Sequence, residues 1–117
     1  IKIVTNQSGI QRGYYSWEDY TKICLHMLRE FERIGIDIEI RTCPHRPETN
    51  CKCRKPKIGM FLDERHEDDI MIGDQISDML AAKNAGIKHR WLLSENVNSD
   101  YATKKFLSHD LLINYLM

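Results

Sequence analysis

The stretch DIMIGDQISDMLAAKNAGI, residues 69–87, decides the fold. Ile70 to Ile72 form a short apolar run that ends on Gly73 and Asp74. A helix is expected from about Ser77 to Ala85, stopping at Gly86, and HRWLL at 89–93 reads as the next strand. Strands alternating with helices imply a parallel sheet covered on both faces.

The upstream sequence repeats this arrangement. IKIVTN at 1–6 is a β-rich run that leads into the polar turn NQSGIQRG. A long helix follows from about Ser16, where Ser16 and Asp19 make an N-terminal capping pair and Gly35 supplies the stop. Tyr20, Ile23, Cys24, Met27, Leu28, Phe31 and Ile34 recur at three- and four-residue spacing, so they are expected to form one buried face with Cys24 as a core thiol. IDIEIRT at 36–42 alternates isoleucine with polar residues, the pattern of a half-buried strand near a sheet edge. KIGMFLDERHED at 57–68 is expected to be a helix, SENVNSDYATKKF at 94–106 a polar connection, and SHDLLINYLM at 108–117 a terminal helix capped by Ser108.

With 117 residues, the chain is expected to form one domain. Seventeen basic and seventeen acidic residues balance, which argues against a global attraction to nucleic acid. No apolar run approaches the roughly 20 residues that span a bilayer, so a soluble chain is expected. The first residues already read as strand, and a preceding segment is therefore expected.

CPHRPETNCKCRKPK at 43–57 contains three of the four cysteines. Cys43, His45, Cys51 and Cys53 supply four ligands, enough to close a tetrahedral zinc site with no open position. Pro44, Pro47 and the lack of apolar periodicity leave the loop little else to order it, so the metal would be structural. A zinc-dependent nucleic-acid module is a rival reading, but the ligand spacing lacks the usual knuckle and no ββα unit follows.

The remaining polar residues suit phosphate. Thr5 and the backbone N–H groups of the turn after it can hold phosphate oxygens. Arg54 offers a bidentate fork, and Lys55 a fixed positive charge. Asp74, at the end of an apolar strand, is well placed for Mg²⁺. Asp78 reads more simply as a carboxylate at a helix N-terminus.

Taken in order, VTNQSGIQRG, CPHRPETNCKCRKP and IGDQISDMLAAKNAGI closely resemble the haloacid dehalogenase superfamily, over about Ile3 to Leu93. Within it, they look like the zinc-loop phosphatases of D-glycero-D-manno-heptose 1,7-bisphosphate and histidinol phosphate, and TNQSGIQRG favours the heptose branch. The resemblance implies a Rossmann-like three-layer α/β/α parallel sheet with an inserted zinc loop at about 43–53. It implies Mg²⁺-dependent hydrolysis of a sugar bisphosphate in heptose biosynthesis for lipopolysaccharide. Thr5 and Lys55 would be catalytic, Thr5 stabilising the transferring phosphoryl group. Asn6, Gln7, Ser8 and Arg54 would join them in binding substrate. Asp74 would ligate Mg²⁺, and Cys43, His45, Cys51 and Cys53 would hold zinc. The expected partner is a small sugar phosphate, with no nucleic acid and no membrane, and the enzyme would be a cytoplasmic monomer.

The sequence departs from that family in three ways. The strand ending in Asp-x-Asp, which supplies the nucleophile and proton-handling carboxylate, is absent from residues 1–117. Asp63 in FLDERH is no substitute, because it lacks the second Asp and follows the lysine motif. The interval from Pro56 to Gly73 is short by more than a helical turn, and Gln75 follows Asp74 where relatives carry a basic residue. The expectation is therefore an N-terminally incomplete domain whose missing strand lies between IKIVTN and DIMIGD. A non-catalytic remnant that binds phosphate or a protein is the alternative.

Overall fold

The computed structural model describes residues 1–62 and 66–117. They form two compact units, 1–54 and 55–117. The expectation that rests on Asp63 lies outside the described residues.

In the first unit, β1 (Lys2–Asn6) and β2 (Glu39–Cys43) are parallel, in register from Lys2 opposite Glu39 to Asn6 opposite Cys43. The crossover between them contains α1 (Trp17–Arg33). Ser16 and Asp19 exchange reciprocal hydrogen bonds at its start, as the sequence implies, so two otherwise orphaned N–H groups are satisfied. Gly35, at φ +77°, follows its end. A residue with a Cβ is strained in that left-handed region.

The apolar stripe of α1 departs from expectation. Tyr20 is buried, but Ile23, Leu28 and Ile34 are exposed and Cys24 is only half-buried, so Cys24 is not a core thiol. Periodicity identifies the residues that share a face without identifying what covers it. β2 also begins later than its alternation suggests, at Glu39 rather than Ile36.

The second unit contains the parallel sheet β3 (Ile70–Gly73), β4 (His89–Leu93) and β5 (Lys104–Phe106), in that order. The helix α2 (Ile76–Asn84) packs on β3 and β4, and α3 (His109–Leu116) on β5. Trp91 and Leu92 are adjacent in β4 and both are buried. Because successive strand side chains point to opposite faces, both faces of β4 are covered, as a parallel sheet requires. One face carries Trp91, Phe106 and Leu112, with Tyr115 edge-on to Trp91. Ser108 accepts a hydrogen bond from the backbone of Leu111 and caps α3 as expected.

Two expectations fail in this unit. Among its described residues, the segment expected to be helical at 57–68 has only the 3-10 turn Gly59–Phe61, which inserts Met60 and Phe61 into the core. Gly59 makes a longer helix unfavourable there. The polar connection at 94–106 ends in β5, whose lysines pair opposite Trp91 and Leu92. Register with β4 creates this strand, which its own composition does not announce.

Candidate active site

At the carboxyl end of β1, the chain turns through residues 7–14. Gln7 N–H donates to the Cys43 carbonyl at 2.7 Å, carrying the ladder with β2 one step further. The turn closes on itself through Arg12 N–H to the Ser8 carbonyl and Tyr14 N–H to the Gly9 carbonyl. Thr5 and Gln7 meet, with Gln7 Nε2 donating to Thr5 Oγ1 at 2.8 Å. Tyr15 donates its hydroxyl proton to Gln7 Oε1. Ser8 Oγ accepts from Arg12 Nε at 3.2 Å, and Asn6 lies opposite Cys43 as the last residue of β1.

Cys43, buried at the end of β2, starts the metal loop. Its Sγ lies 3.5 Å from His45 Nδ1, 3.6 Å from Cys51 Sγ and 3.0 Å from Cys53 Sγ. All four donor atoms fall within 4.8 Å of one another. Tetrahedral zinc with thiolates at about 2.3 Å would set sulfurs about 3.8 Å apart, so the donor set fits one ion.

The thiols also interact with one another. Burial and then the neighbouring Cys43 and Cys51 push Cys53 up to about 12. Burial acts upward on Cys51 as well, but hydrogen bonds from the Arg54 and Cys53 backbone and from the other thiols outweigh it and bring Cys51 down to about 6. Thiolates crowded this closely need a cation to coexist.

The loop is tied to the turn after β1. Gln11 N–H donates to the Pro44 carbonyl at 3.3 Å. Gln11 Oε1 accepts from Thr49 Oγ1 at 2.9 Å and from the backbone N–H of Arg46. Arg54 turns its guanidinium back onto the loop, with Nη1 3.4 Å from the His45 carbonyl.

In the second unit, Lys55 and Asp74 share a partner. Lys55 Nζ lies 2.5 Å from Asp78 Oδ1. Asp78 Oδ2 accepts from the backbone N–H groups of Asp74, at 3.2 Å, and Gln75, at 3.1 Å. Asp78 is 5 % exposed, and Gln75 and Asp78 close a capping box at the start of α2. Asp74 itself is exposed. One carboxylate thus fixes the ammonium group and shapes the turn that carries Asp74.

Asp78 is the residue that sequence reasoning undervalued. Its spacing four residues after Asp74 was the available signal, but its pairing with Lys55 is a tertiary contact. Tyr15 and Gln11 carried no signal at all, since their roles depend on the turn after β1.

No protein-family model matches the chain. A D-glycero-alpha-D-manno-heptose-1,7-bisphosphate 7-phosphatase from Campylobacter jejuni is 42% identical, over 97% of this chain and 69% of its own length. A D-glycero-beta-D-manno-heptose-1,7-bisphosphate 7-phosphatase from Helicobacter pylori is also 42% identical, over 80% of this chain. The chain spans 59% of that relative. Among solved structures, a D,D-heptose 1,7-bisphosphate phosphatase from B. bronchiseptica, complexed with magnesium and phosphate, superposes with a TM-score of 0.80. It is 28% identical and matches 98% of this chain and 72% of its own.

Proposed function

Because the chain belongs to the D-glycero-D-manno-heptose-1,7-bisphosphate 7-phosphatase family, of the haloacid dehalogenase type, we propose that it serves hydrolysis of that sugar bisphosphate to a monophosphate and inorganic phosphate. The observation that carries the reading is the buried Lys55–Asp78 pair, whose carboxylate also holds the Asp74 turn. A cation fixed in this way meets a phosphate without reorganising, which is the main service an enzyme gives to phosphoryl transfer.

Thr5 donates its hydroxyl proton to a phosphoryl oxygen and Lys55 offsets phosphate charge. Asn6, Gln7, Ser8 and Arg54 serve substrate recognition. The attacking carboxylate of the family's aspartyl-phosphate route is not assigned to any of residues 1–117. Asp74 would hold Mg²⁺, which neutralises charge on the phosphoryl oxygens when bound; the magnesium in the B. bronchiseptica structure supports the choice of ion. Cys43, His45, Cys51 and Cys53 would hold Zn²⁺ as a closed structural site, supported by their donor types and spacing. Residues 1–117 act as parts of one phosphatase domain. The proposal covers a monomeric cytoplasmic enzyme of a small sugar phosphate, without nucleic-acid or membrane partners. Among the described residues, no helix is long and apolar enough to cross a membrane.

The full-length protein containing these residues tests the reading. It should release phosphate from heptose 1,7-bisphosphate in the presence of Mg²⁺, and Thr5→Ala or Lys55→Ala should lower kcat at least about a hundredfold. A purified, folded, metal-loaded protein without turnover on that substrate would refute it.

A further inference from the structure

Thr5 can serve a phosphate only if its hydroxyl proton points to the phosphate. A threonine hydroxyl has one proton to donate and two lone pairs to accept with. Gln7 decides how they are used. With Nε2 toward Thr5, as observed at 2.8 Å, the hydroxyl accepts from Gln7 and keeps its proton for another acceptor. With the amide turned over, Oε1 would face Thr5 and compete for that proton.

The two amide orientations have nearly the same shape, so a third group must choose between them. Tyr15 biases that choice, because a phenol hydroxyl is a better donor than acceptor and here donates to Gln7 Oε1. We propose that Tyr15 is a positioning residue that, through the Gln7 amide, keeps the Thr5 hydroxyl a donor toward a phosphoryl oxygen. The inference rests on the phosphatase reading and deepens it. Gln7 then acts on Thr5, beside any contact it makes with substrate.

The surroundings of Tyr15 fix its ring for this task. A Cβ on Gly9 would lie 2.2 Å from Tyr15 Cε1 and 2.9 Å from its hydroxyl, so only glycine leaves room for the ring. The ring centroid is 6.4 Å from that of Tyr20, whose hydroxyl is hydrogen-bonded to Thr42 Oγ1 at 2.7 Å. Thr42 is the register partner of Thr5. Gln7 is fixed at its backbone as well, by its N–H on the Cys43 carbonyl. A hydrogen-bonded chain held at both ends has its orientation set before substrate arrives, which is what electrostatic preorganisation requires.

Tyr15→Phe in the full-length enzyme keeps the ring and removes the donor. The expected result is a three- to tenfold fall in kcat/KM, about the worth of one hydrogen bond. The fall should disappear in a Thr5→Val background and persist in Thr5→Ser, which retains a hydroxyl. A merely structural role would give the same loss in all three backgrounds, and that result, or no loss in the wild-type background, would overturn the inference. Calorimetric titration with inorganic phosphate and Mg²⁺ gives a readout independent of turnover. Tyr15→Phe should weaken phosphate binding only where residue 5 has a hydroxyl. Wild-type protein that binds phosphate without turning over heptose bisphosphate defeats the phosphatase reading, and the titration then decides the inference alone. Protein that neither turns over nor binds phosphate overturns both.

Discussion

Lys55 and Asp78 form an ion pair 2.5 Å long in which the side chains are only 11% and 7% exposed. Such a pair is costly to desolvate, and its charges remain buried only because each has partners. Asp78 has three: the ammonium on Oδ1, and the backbone N–H groups of Asp74 and Gln75 on Oδ2. The geometry therefore couples the charge on Lys55 to the conformation of the Asp74 turn.

Asp78→Ala should remove both functions at once. It leaves a buried ammonium without its counter-charge, at a cost of about 3 kcal/mol or more in denaturant unfolding. The kcat should fall more than about a hundredfold, because Lys55 and Asp74 both lose their anchor. Asp78→Asn keeps an acceptor for the backbone but no charge, so it should retain more stability than Asp78→Ala while remaining poorly active. Equal stability of the alanine variant and wild type would show that the pair does not organise this unit.

Gly73→Ala tests the same carboxylate by crowding. An added Cβ would fall 2.5 Å from Asp78 Cβ and 2.6 Å from Asp78 Oδ2, distances that real Cβ atoms do not tolerate. Asp78 is held at both oxygens and has little freedom to retreat. The expected loss is about 1–3 kcal/mol, typical of overpacking, with a fall in activity beyond what the fraction unfolded explains. Thermal melts and kinetics on the same preparation measure both, and an unchanged melting temperature would argue that the contact yields easily.

These two residues also mark where the sequence stops being informative. The ends of α1 and α3 could be read because caps are local chemistry: Ser16 with Asp19, and Ser108 before its helix, need no knowledge of the rest of the chain. The four metal donors could be read because they lie within eleven consecutive residues of one loop. Asp78 looked like an ordinary helix-start carboxylate because its cation lies on a distant segment. β5 was hidden by two lysines whose strand geometry comes from β4. Ile23, Leu28 and Ile34 have the right spacing for burial and are nonetheless exposed. Local patterns were legible, whereas pairings that depend on tertiary contacts were not.

The metal loop gives a composition test. Cys43→Ser or Cys51→Ser should abolish stoichiometric zinc in elemental analysis and lower the melting temperature, because the loop lacks an apolar core to replace the ion. Cys24→Ser should change neither, since Cys24 lies on α1, away from the clustered donors. Zinc added to the chelated protein should release protons, because thiols bind as thiolates. Calorimetry in buffers of different ionisation enthalpy counts them, and an unprotonated, metal-independent loop would give none. Metal affinity should therefore rise with pH through the neutral range.

Lys55 separates stability from function when it is altered together with Asp78. Lys55→Met alone removes the cation and strands a buried carboxylate, so activity and stability should both fall, and the cause of the lost activity is ambiguous. Lys55→Met combined with Asp78→Asn removes both charges while leaving an acceptor for the Asp74 and Gln75 backbone. A buried ion pair replaced on both sides is often close to neutral for folding, so the double variant should recover most of the roughly 3 kcal/mol lost by either single charge removal. Its kcat should stay as low as that of Lys55→Met, because the Lys55 ammonium is still missing from the phosphate. Unfolding curves and turnover should therefore diverge in the double variant. Recovery of activity along with stability would mean that Lys55 supports the fold and does not act on phosphate.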